Sequence, residues 1–260
     1  MDDIAATIKQ ALSAVETQEQ VRILYACESG SRAWGFSSHD SDYDVRFLYV
    51  RAKEAYLRVD PPRDVIERPF VNDLDISGWD IFKALRLLRK SNPPLLEWLL
   101  SPSIYQESSA SIEELRALAR HFYSPVALYY HYSRMAEGNY RQYLQEKTKV
   151  ILKKYLYTIR PLIALLFLEQ HGQLPPTNFL ETLLQVQLPE EVCTHIHALI
   201  TRKQGGAELG LGAPDTVLNA FIEEHLNAWG KQAFSAPEQA KITQELDNVL
   251  QHIFTEKETR

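Results

Sequence analysis

The sequence contains few cysteines, with only Cys27 and Cys193 among 260 residues. The two lie far apart and lack the paired spacing of a zinc site, so the sequence predicts neither a disulfide framework nor a structural zinc. Because disulfides are rare in reducing compartments, this scarcity favours a cytoplasmic location.

Long hydrophobic runs are also missing. The longest, Pro161–Leu168, is far shorter than the roughly 20 apolar residues that a membrane-spanning helix needs. The first residues lack the basic segment followed by an apolar one that marks a secretory signal. We therefore expect neither secretion nor a membrane partner.

Positive charge is not in excess: 28 lysines and arginines stand against 34 aspartates and glutamates, a net charge of −6. This balance argues against a protein that coats nucleic acid through its overall charge, but it leaves room for a local basic groove. A 45% hydrophobic and 24% charged composition is typical of a globular chain that buries a substantial core.

The pattern of apolar residues changes along the chain. Helical spacing from Ile4 to Val15 precedes three segments with strand character, and Asp80 is placed to cap a further helix. The predicted strands are Val21–Cys27, Asp42–Val50 and Val71–Ser77.

Beyond Pro94 the pattern is almost entirely helical, with Ser124 as a cap and Gly172 as a stop. The predicted helices are Leu95–Leu100, Ile112–His121, Pro125–Leu144, Lys147–Gln170, Phe179–Leu184, Glu190–Arg202, Thr216–Trp229 and Pro237–Phe254. The prediction is an α+β protein, with residues 1–105 as a mixed domain and residues 106–260 as a helical domain.

Two carboxylates alternate at the start of the second predicted strand. Residues i and i+2 of a strand point to the same face, so Asp42 and Asp44 stand side by side, about 7 Å apart at Cα. Tyr43, Val45 and Phe47 then face the core. Hard divalent cations such as Mg²⁺ prefer carboxylate oxygens and accept substrate phosphates at their open positions, so this pair is a candidate metal site.

A small-residue loop precedes the carboxylates. Gly30 and Ser31 follow a predicted buried strand and precede Arg32, so backbone N–H groups and a hydroxyl are available to hold a triphosphate. Gly-Ser or Asp-x-Asp alone is common by chance. Their order (strand, Gly-Ser, polar loop, Asp-x-Asp and a further strand with an acid) is much more specific.

This order of motifs resembles the DNA polymerase β-like nucleotidyltransferases. More narrowly, Glu28–Phe36 with Ser41–Val45 is similar to a bacterial and phage family of nucleotidyltransferases, some of which are called RNA-repair-associated polymerase-β-like proteins. The resemblance extends to the segments Asp75–Asp80, Lys90–Pro93, Glu97–Pro102, Lys153–Tyr157 and Arg160–Pro161.

The resemblance implies a polymerase β-like fold with a short mixed sheet, in which Asp42 and Asp44 bind Mg²⁺ or Mn²⁺. It also implies a third carboxylate on a neighbouring strand, which Asp75 matches best. Asp73 is the alternative, since it would share a face of that strand with Asp75. In the implied reaction this third carboxylate accepts a proton from the attacking hydroxyl, and Ser31 helps to hold the leaving pyrophosphate.

A group of basic side chains on one predicted helix has two interpretations. Lys149, Lys153 and Arg160, together with Tyr157, follow one stripe of the predicted helix Lys147–Gln170. A solvated basic face is one interpretation, and contact with a nucleotide or polynucleotide, which the resemblance favours, is the other.

Arg32 and Arg46 lie close to the acids in the sequence. Each has two interpretations: it is an ion-pair partner of the acids, or it orients phosphates.

We expect an enzyme that transfers a nucleoside monophosphate from a nucleoside triphosphate, ATP being the favoured donor, to a hydroxyl. The name of the family indicates an RNA 3′ end as the acceptor. Two alternatives stay open: modification of a protein or small molecule, and a non-catalytic module that binds nucleotide or RNA. The sequence does not specify the oligomeric state.

Overall fold

The computed structural model describes residues 2–71, 73–206, 209–228 and 239–256. The chain divides into two compact units. Unit 1 comprises residues 1–33, 42–123 and 237–260, and unit 2 comprises residues 34–41 and 124–236.

The helices, in chain order, are α1 (Asp2–Glu19), α2 (Gly30–Ala33), α3 (Lys53–Tyr56), α4 (Ile81–Arg89), α5 (Pro93–Leu99), α6 (Ser111–Phe122), α7 (Pro125–Tyr143), α8 (Lys153–His171), α9 (Phe179–Gln185), α10 (Glu190–Gln204), α11 (Thr216–Ala228) and α12 (Gln239–Thr255). The strands are β1 (Val21–Glu28), β2 (Tyr43–Arg51), β3 (Val65–Glu67), β4 (Leu74–Asp80), β5 (Ile104–Glu107), β6 (Val150–Ile151) and β7 (Leu211–Gly212).

Unit 1 is built on a mixed five-stranded sheet in the order β3-β4-β2-β1-β5. Strands β2 and β4 are parallel, and the other neighbouring pairs are antiparallel. On β2, Val45 and Phe47 are fully buried and Tyr43 packs against the same core, which α1 covers with Ile8 and Leu12. The predicted α+β class with a short mixed sheet is confirmed, and so is the alternation along β2.

Strand β4 begins three residues later than the predicted Val71–Ser77. Asp73 has φ 59°, a left-handed conformation, and Val71 bridges back to Leu74, so the chain turns before the strand starts. Asp73 therefore lies in a turn and does not share a strand face with Asp75. The short strands β3 and β5 were not predicted.

The division into units differs from the predicted boundary at residue 105. Helices α6 and α12 both belong to unit 1, because α12 packs against α4 and α6. Packing between elements so distant in sequence has no local sequence signal.

Unit 2 consists of α7 to α11 and the two-stranded ribbon of β6 and β7. Its core is formed around α8, from Tyr155 to Phe167. The predicted cap at Ser124 and the left-handed stop at Gly172 are both present. The predicted helix ends at Trp229 and Pro237 lie outside the described residues.

Helix α8 starts at Lys153, six residues after the predicted Lys147, because Val150 and Ile151 pair with Leu211 and Gly212 instead of continuing a helix. Over the described ranges, no helix is long and apolar enough to cross a membrane.

Candidate functional site

Two predicted acids of unit 1 lie next to each other on neighbouring strands. In the parallel pairing of β2 and β4, Asp44 is the register partner of Asp75. Adjacent strands are about 4.8 Å apart, so the two carboxylates are close neighbours on one face of the sheet. Neither side chain is fully covered: Asp44 is 28% exposed and Asp75 is 42% exposed.

Arg46 bridges these two acids. Its Nη2 donates to Asp44 Oδ1 at 3.0 Å and to Asp75 Oδ2 at 2.8 Å. Its Nη1 donates to the backbone oxygens of Val45 and Asp75 at 3.1 and 3.0 Å. Of the two interpretations of Arg46, the structure therefore shows the ion-pair partner, held in place by four hydrogen bonds.

Asp42 lies one residue before β2 and its side chain is exposed. Arg32 Nε donates to the backbone oxygen of Asp42 at 3.1 Å, and the Arg32 guanidinium lies 3.7 Å from the centre of the Tyr43 ring. These contacts join α2, which follows β1, to the start of β2.

The electrostatics around Asp44 reflect its crowded position. Burial raises the pKa of the Asp44 carboxyl, Arg46 opposes that rise, and the charges of Asp75 and Asp42 increase it further. Asp75 and Asp42 thus repel the Asp44 carboxylate, and an added cation would relieve that repulsion.

Gly30 lies directly against the Asp44 side chain. It has φ +58°, and a Cβ atom built at this position would lie 1.9 Å from Asp44 Oδ2. The neighbouring Ser29 N–H donates to the Asp44 backbone oxygen at 2.8 Å. Glycine is required here both for the backbone conformation and for the space that the carboxylate occupies. Ser31 is buried in α2, one residue further on.

Glu28 is a buried acid that we did not predict. Its Oε1 accepts the Asp44 N–H at 2.8 Å, and its Oε2 accepts the Tyr105 hydroxyl. Burial raises the pKa of Glu28, and these hydrogen bonds oppose the rise. The available signal was an acid at the end of an apolar strand, two residues before Gly30. The contact with Tyr105 on β5 has no sequence signal.

The predicted basic residues Lys149, Lys153 and Arg160 belong to unit 2. Lys149 precedes β6, so the predicted helical stripe that included it is wrong at that residue. Lys153 is the exposed first residue of α8, whereas Arg160 is buried, with its guanidinium 3.9 Å from the centre of the Trp34 ring.

In the part of the chain that the structure describes, no three histidine, cysteine, aspartate or glutamate side chains are arranged to hold a metal ion. The metal-binding and catalytic roles of Asp42, Asp44 and Asp75 therefore stay predictions.

The sequence matches a family model and a protein of Bacillus subtilis. The model of the family described as "RlaP: RNA repair pathway DNA polymerase beta family" matches residues 4–252. The protein "Uncharacterized protein YcgL" of Bacillus subtilis (strain 168) is 44% identical over 240 residues, which cover 92% of each chain.

Among solved structures, a nucleotidyltransferase-like protein from Exiguobacterium sibiricum 255-15 aligns with 97% of this chain and 81% of its own length, at 12% identity and a TM-score of 0.33. That TM-score is too low to relate the two folds in detail, so the relationship to known proteins rests on the sequence matches.

Proposed function

Because the chain belongs to the RlaP family, the RNA repair pathway DNA polymerase beta family, we propose that it transfers a nucleoside monophosphate from a nucleoside triphosphate to a hydroxyl group. ATP is the proposed donor and an RNA 3′ end the proposed acceptor. Both assignments extend beyond the family match, which supports a polymerase β-like nucleotidyltransferase.

The observation that carries the proposal is the juxtaposition of Asp44 and Asp75, with Gly30 packed against the Asp44 carboxylate. Acids in register on adjacent strands concentrate negative charge at one point of the sheet. Such a concentration is costly unless a cation offsets it, which is how carboxylate sites for phosphoryl transfer are built.

The donor set fits Mg²⁺ or Mn²⁺. Carboxylate oxygens are the ligands that these hard cations prefer, and Mg²⁺ binds through one or two carboxylates together with substrate phosphates, so a complete cage of protein ligands is not needed. We propose the register partners Asp44 and Asp75 as its first ligands. Asp42, the other predicted ligand, would have to move to join them, because the three acids are not arranged around one point. A divalent cation bound there would offset charge on the α-phosphate and on the attacking oxygen.

In the proposed reaction the acceptor hydroxyl oxygen bonds to the α-phosphorus, and the bond from that phosphorus to the bridging oxygen of the β-phosphate breaks. Asp75, the more exposed of the paired acids, accepts the hydroxyl proton. Pyrophosphate leaves with the bridging oxygen. Gly30, Ser31 and Arg32 are the proposed phosphate contacts of unit 1, and on unit 2 Lys149, Lys153 and Arg160 stay predicted contacts to nucleotide or polynucleotide.

Arg46 is expected to compete with the metal for the acids. Arg46→Gln removes the cation between Asp44 and Asp75, and should lower the free energy of unfolding without metal by about 1–3 kcal/mol. Added Mg²⁺ should then raise the melting temperature more in this variant than in the wild type, because no guanidinium has to be displaced.

The matched control is Arg63→Gln, since the Arg63–Glu67 pair is 82% and 65% exposed and should contribute little. Thermal unfolding with and without Mg²⁺ measures both effects. An equal Mg²⁺ response in wild type and Arg46→Gln would contradict competition at this site.

The proposed activity is tested by incubating the full chain with Mg²⁺ and each α-³²P-labelled nucleoside triphosphate, with and without RNA, beside an Asp42→Ala/Asp44→Ala variant. We expect label from ATP to enter RNA only with the intact acids. Label on the protein would favour a protein-modifying enzyme. Triphosphate-induced thermal stabilisation without any transfer would favour a binding module and count against the proposal.

A further inference from the structure

Unit 2 contains a group of cations packed on aromatic rings, here called the cation–aromatic cluster. Its cations come from α8 and from the end of α10, and its rings come from α7, α8 and the segment 34–41. The members are Lys153, Lys154, Arg160, Lys203, Trp34, Phe36, Tyr143 and Tyr157.

Two lysines of the cluster converge on Tyr157. Lys154 Nζ lies 3.9 Å from the centre of the Tyr143 ring and 5.5 Å from that of Tyr157. Lys203 Nζ lies 4.8 Å from the Phe36 ring centre and 5.9 Å from that of Tyr157. Lys203 was not among the predicted binding residues, because α10 is far from α8 in sequence.

No salt bridge to a carboxylate of the described residues is formed by Lys153, Lys154 or Lys203, although acids outnumber bases in the chain. Aromatic rings attract a cation through their quadrupole, but they carry no net charge. The rings therefore fix the positions of the ammonium groups and leave their positive charge uncompensated.

This arrangement has an electrostatic cost. Burial lowers the pKa of Lys203, and the nearby charge of Lys153 lowers it further. Like charges held together without counterions destabilise the free protein and favour binding of an anion.

We propose that the cation–aromatic cluster binds consecutive phosphodiester groups of a single-stranded polynucleotide. The rings hold the cations in place before the strand arrives, so little side-chain ordering is left for the binding step. The inference rests on the proposed function only for the choice of RNA as the polynucleotide.

The length of the cluster favours a strand over a single triphosphate. From Lys153 to Arg160 the axis of α8 advances about 10 Å at 1.5 Å per residue. Consecutive phosphates of a single strand are joined through a sugar and lie farther apart than the phosphates of a triphosphate, so cations spread over this distance can contact more than one phosphodiester. The phosphates of a triphosphate share bridging oxygens and span a shorter length.

The test measures fluorescence anisotropy of a labelled single-stranded RNA with the full chain in EDTA, without nucleotide, at several salt concentrations. The variants are Lys154→Gln, Lys203→Gln and the double variant. Lys203→Arg keeps the charge, and Lys9→Gln is the matched control, because Lys9 is exposed on α1.

We expect each cluster substitution to reduce the slope of log Kd against log salt by about 0.7, the value for one phosphate contact on a single strand. The double variant should bind about tenfold more weakly. Lys203→Arg and Lys9→Gln should bind like the wild type. At low salt Lys203→Gln should melt no lower than the wild type, so weaker binding is not caused by unfolding.

Equal Kd and slope in the double variant and in Lys9→Gln would overturn the proposal. Weaker ATP binding with unchanged RNA binding would also overturn it, in favour of a triphosphate subsite. The Asp42→Ala/Asp44→Ala variant should bind RNA normally in EDTA, so a failure of nucleotide transfer and a failure of the cluster are separate results.

Discussion

Replacing Asp44 with asparagine is expected to slow nucleotide transfer at least about a thousandfold, equivalent to roughly 4 kcal/mol of lost transition-state stabilisation. Asparagine keeps the size of the side chain, and its oxygen can still accept a hydrogen bond from Arg46. It lacks the negative charge that a divalent cation requires. The fold should survive, because the neighbours of Asp44 continue to hold its backbone in β2.

Single-turnover rates with labelled ATP, measured across a Mg²⁺ titration, would show this loss. Asp40→Asn is the matched control, because the Asp40 side chain is 85% exposed and the residue belongs to unit 2. It should react at the wild-type rate. If Asp44→Asn also reacted at that rate, Asp44 would not be a metal-binding carboxylate.

Gly30→Ala is expected to reduce transfer by about a hundredfold or more, because the new methyl group needs the space occupied by Asp44 Oδ2. The positive φ adds strain of about 1–2 kcal/mol. Together the clash and the strain should lower the free energy of unfolding by about 2–4 kcal/mol.

Gly172→Ala separates these two contributions. Gly172 has φ +62°, close to that of Gly30, but nothing lies within 4 Å of a Cβ built there. It should lose about 1–2 kcal/mol of stability through strain alone and keep full activity. Denaturant unfolding and transfer rates on both variants make the comparison, and equal activity of the two would mean that Gly30 does not hold the Asp44 carboxylate in place.

Local chemistry made much of the fold predictable. Asp80 and Ser124 cap helices because their side-chain oxygens accept N–H groups two or three residues later, and this pattern is visible in the sequence. Alternation along β2 likewise identified Val45 and Phe47 as core residues. The class and family followed from these elements together with the Gly-Ser and Asp-x-Asp motifs.

Features that depend on pairing between distant segments were not predictable. The register that places Asp75 opposite Asp44, and with it the bridging role of Arg46, is a property of the sheet and not of either strand. Strand β5, with an exposed residue at each end, shows little apolar alternation.

The return of α12 to unit 1 bears on how the chain folds during synthesis. Arg22 of β1 donates to the Ile253 backbone oxygen at 2.9 Å, and Ser109 and Ser111 donate to Glu256 at 2.7 and 2.8 Å. Residues 124–236 must be translated between the rest of unit 1 and this helix. At about 5–20 residues per second that takes on the order of 10 s. A ribosome thus carries the sheet and the proposed catalytic acids for seconds before the helix that covers α4 and α6 emerges, and a chain released early would lack it.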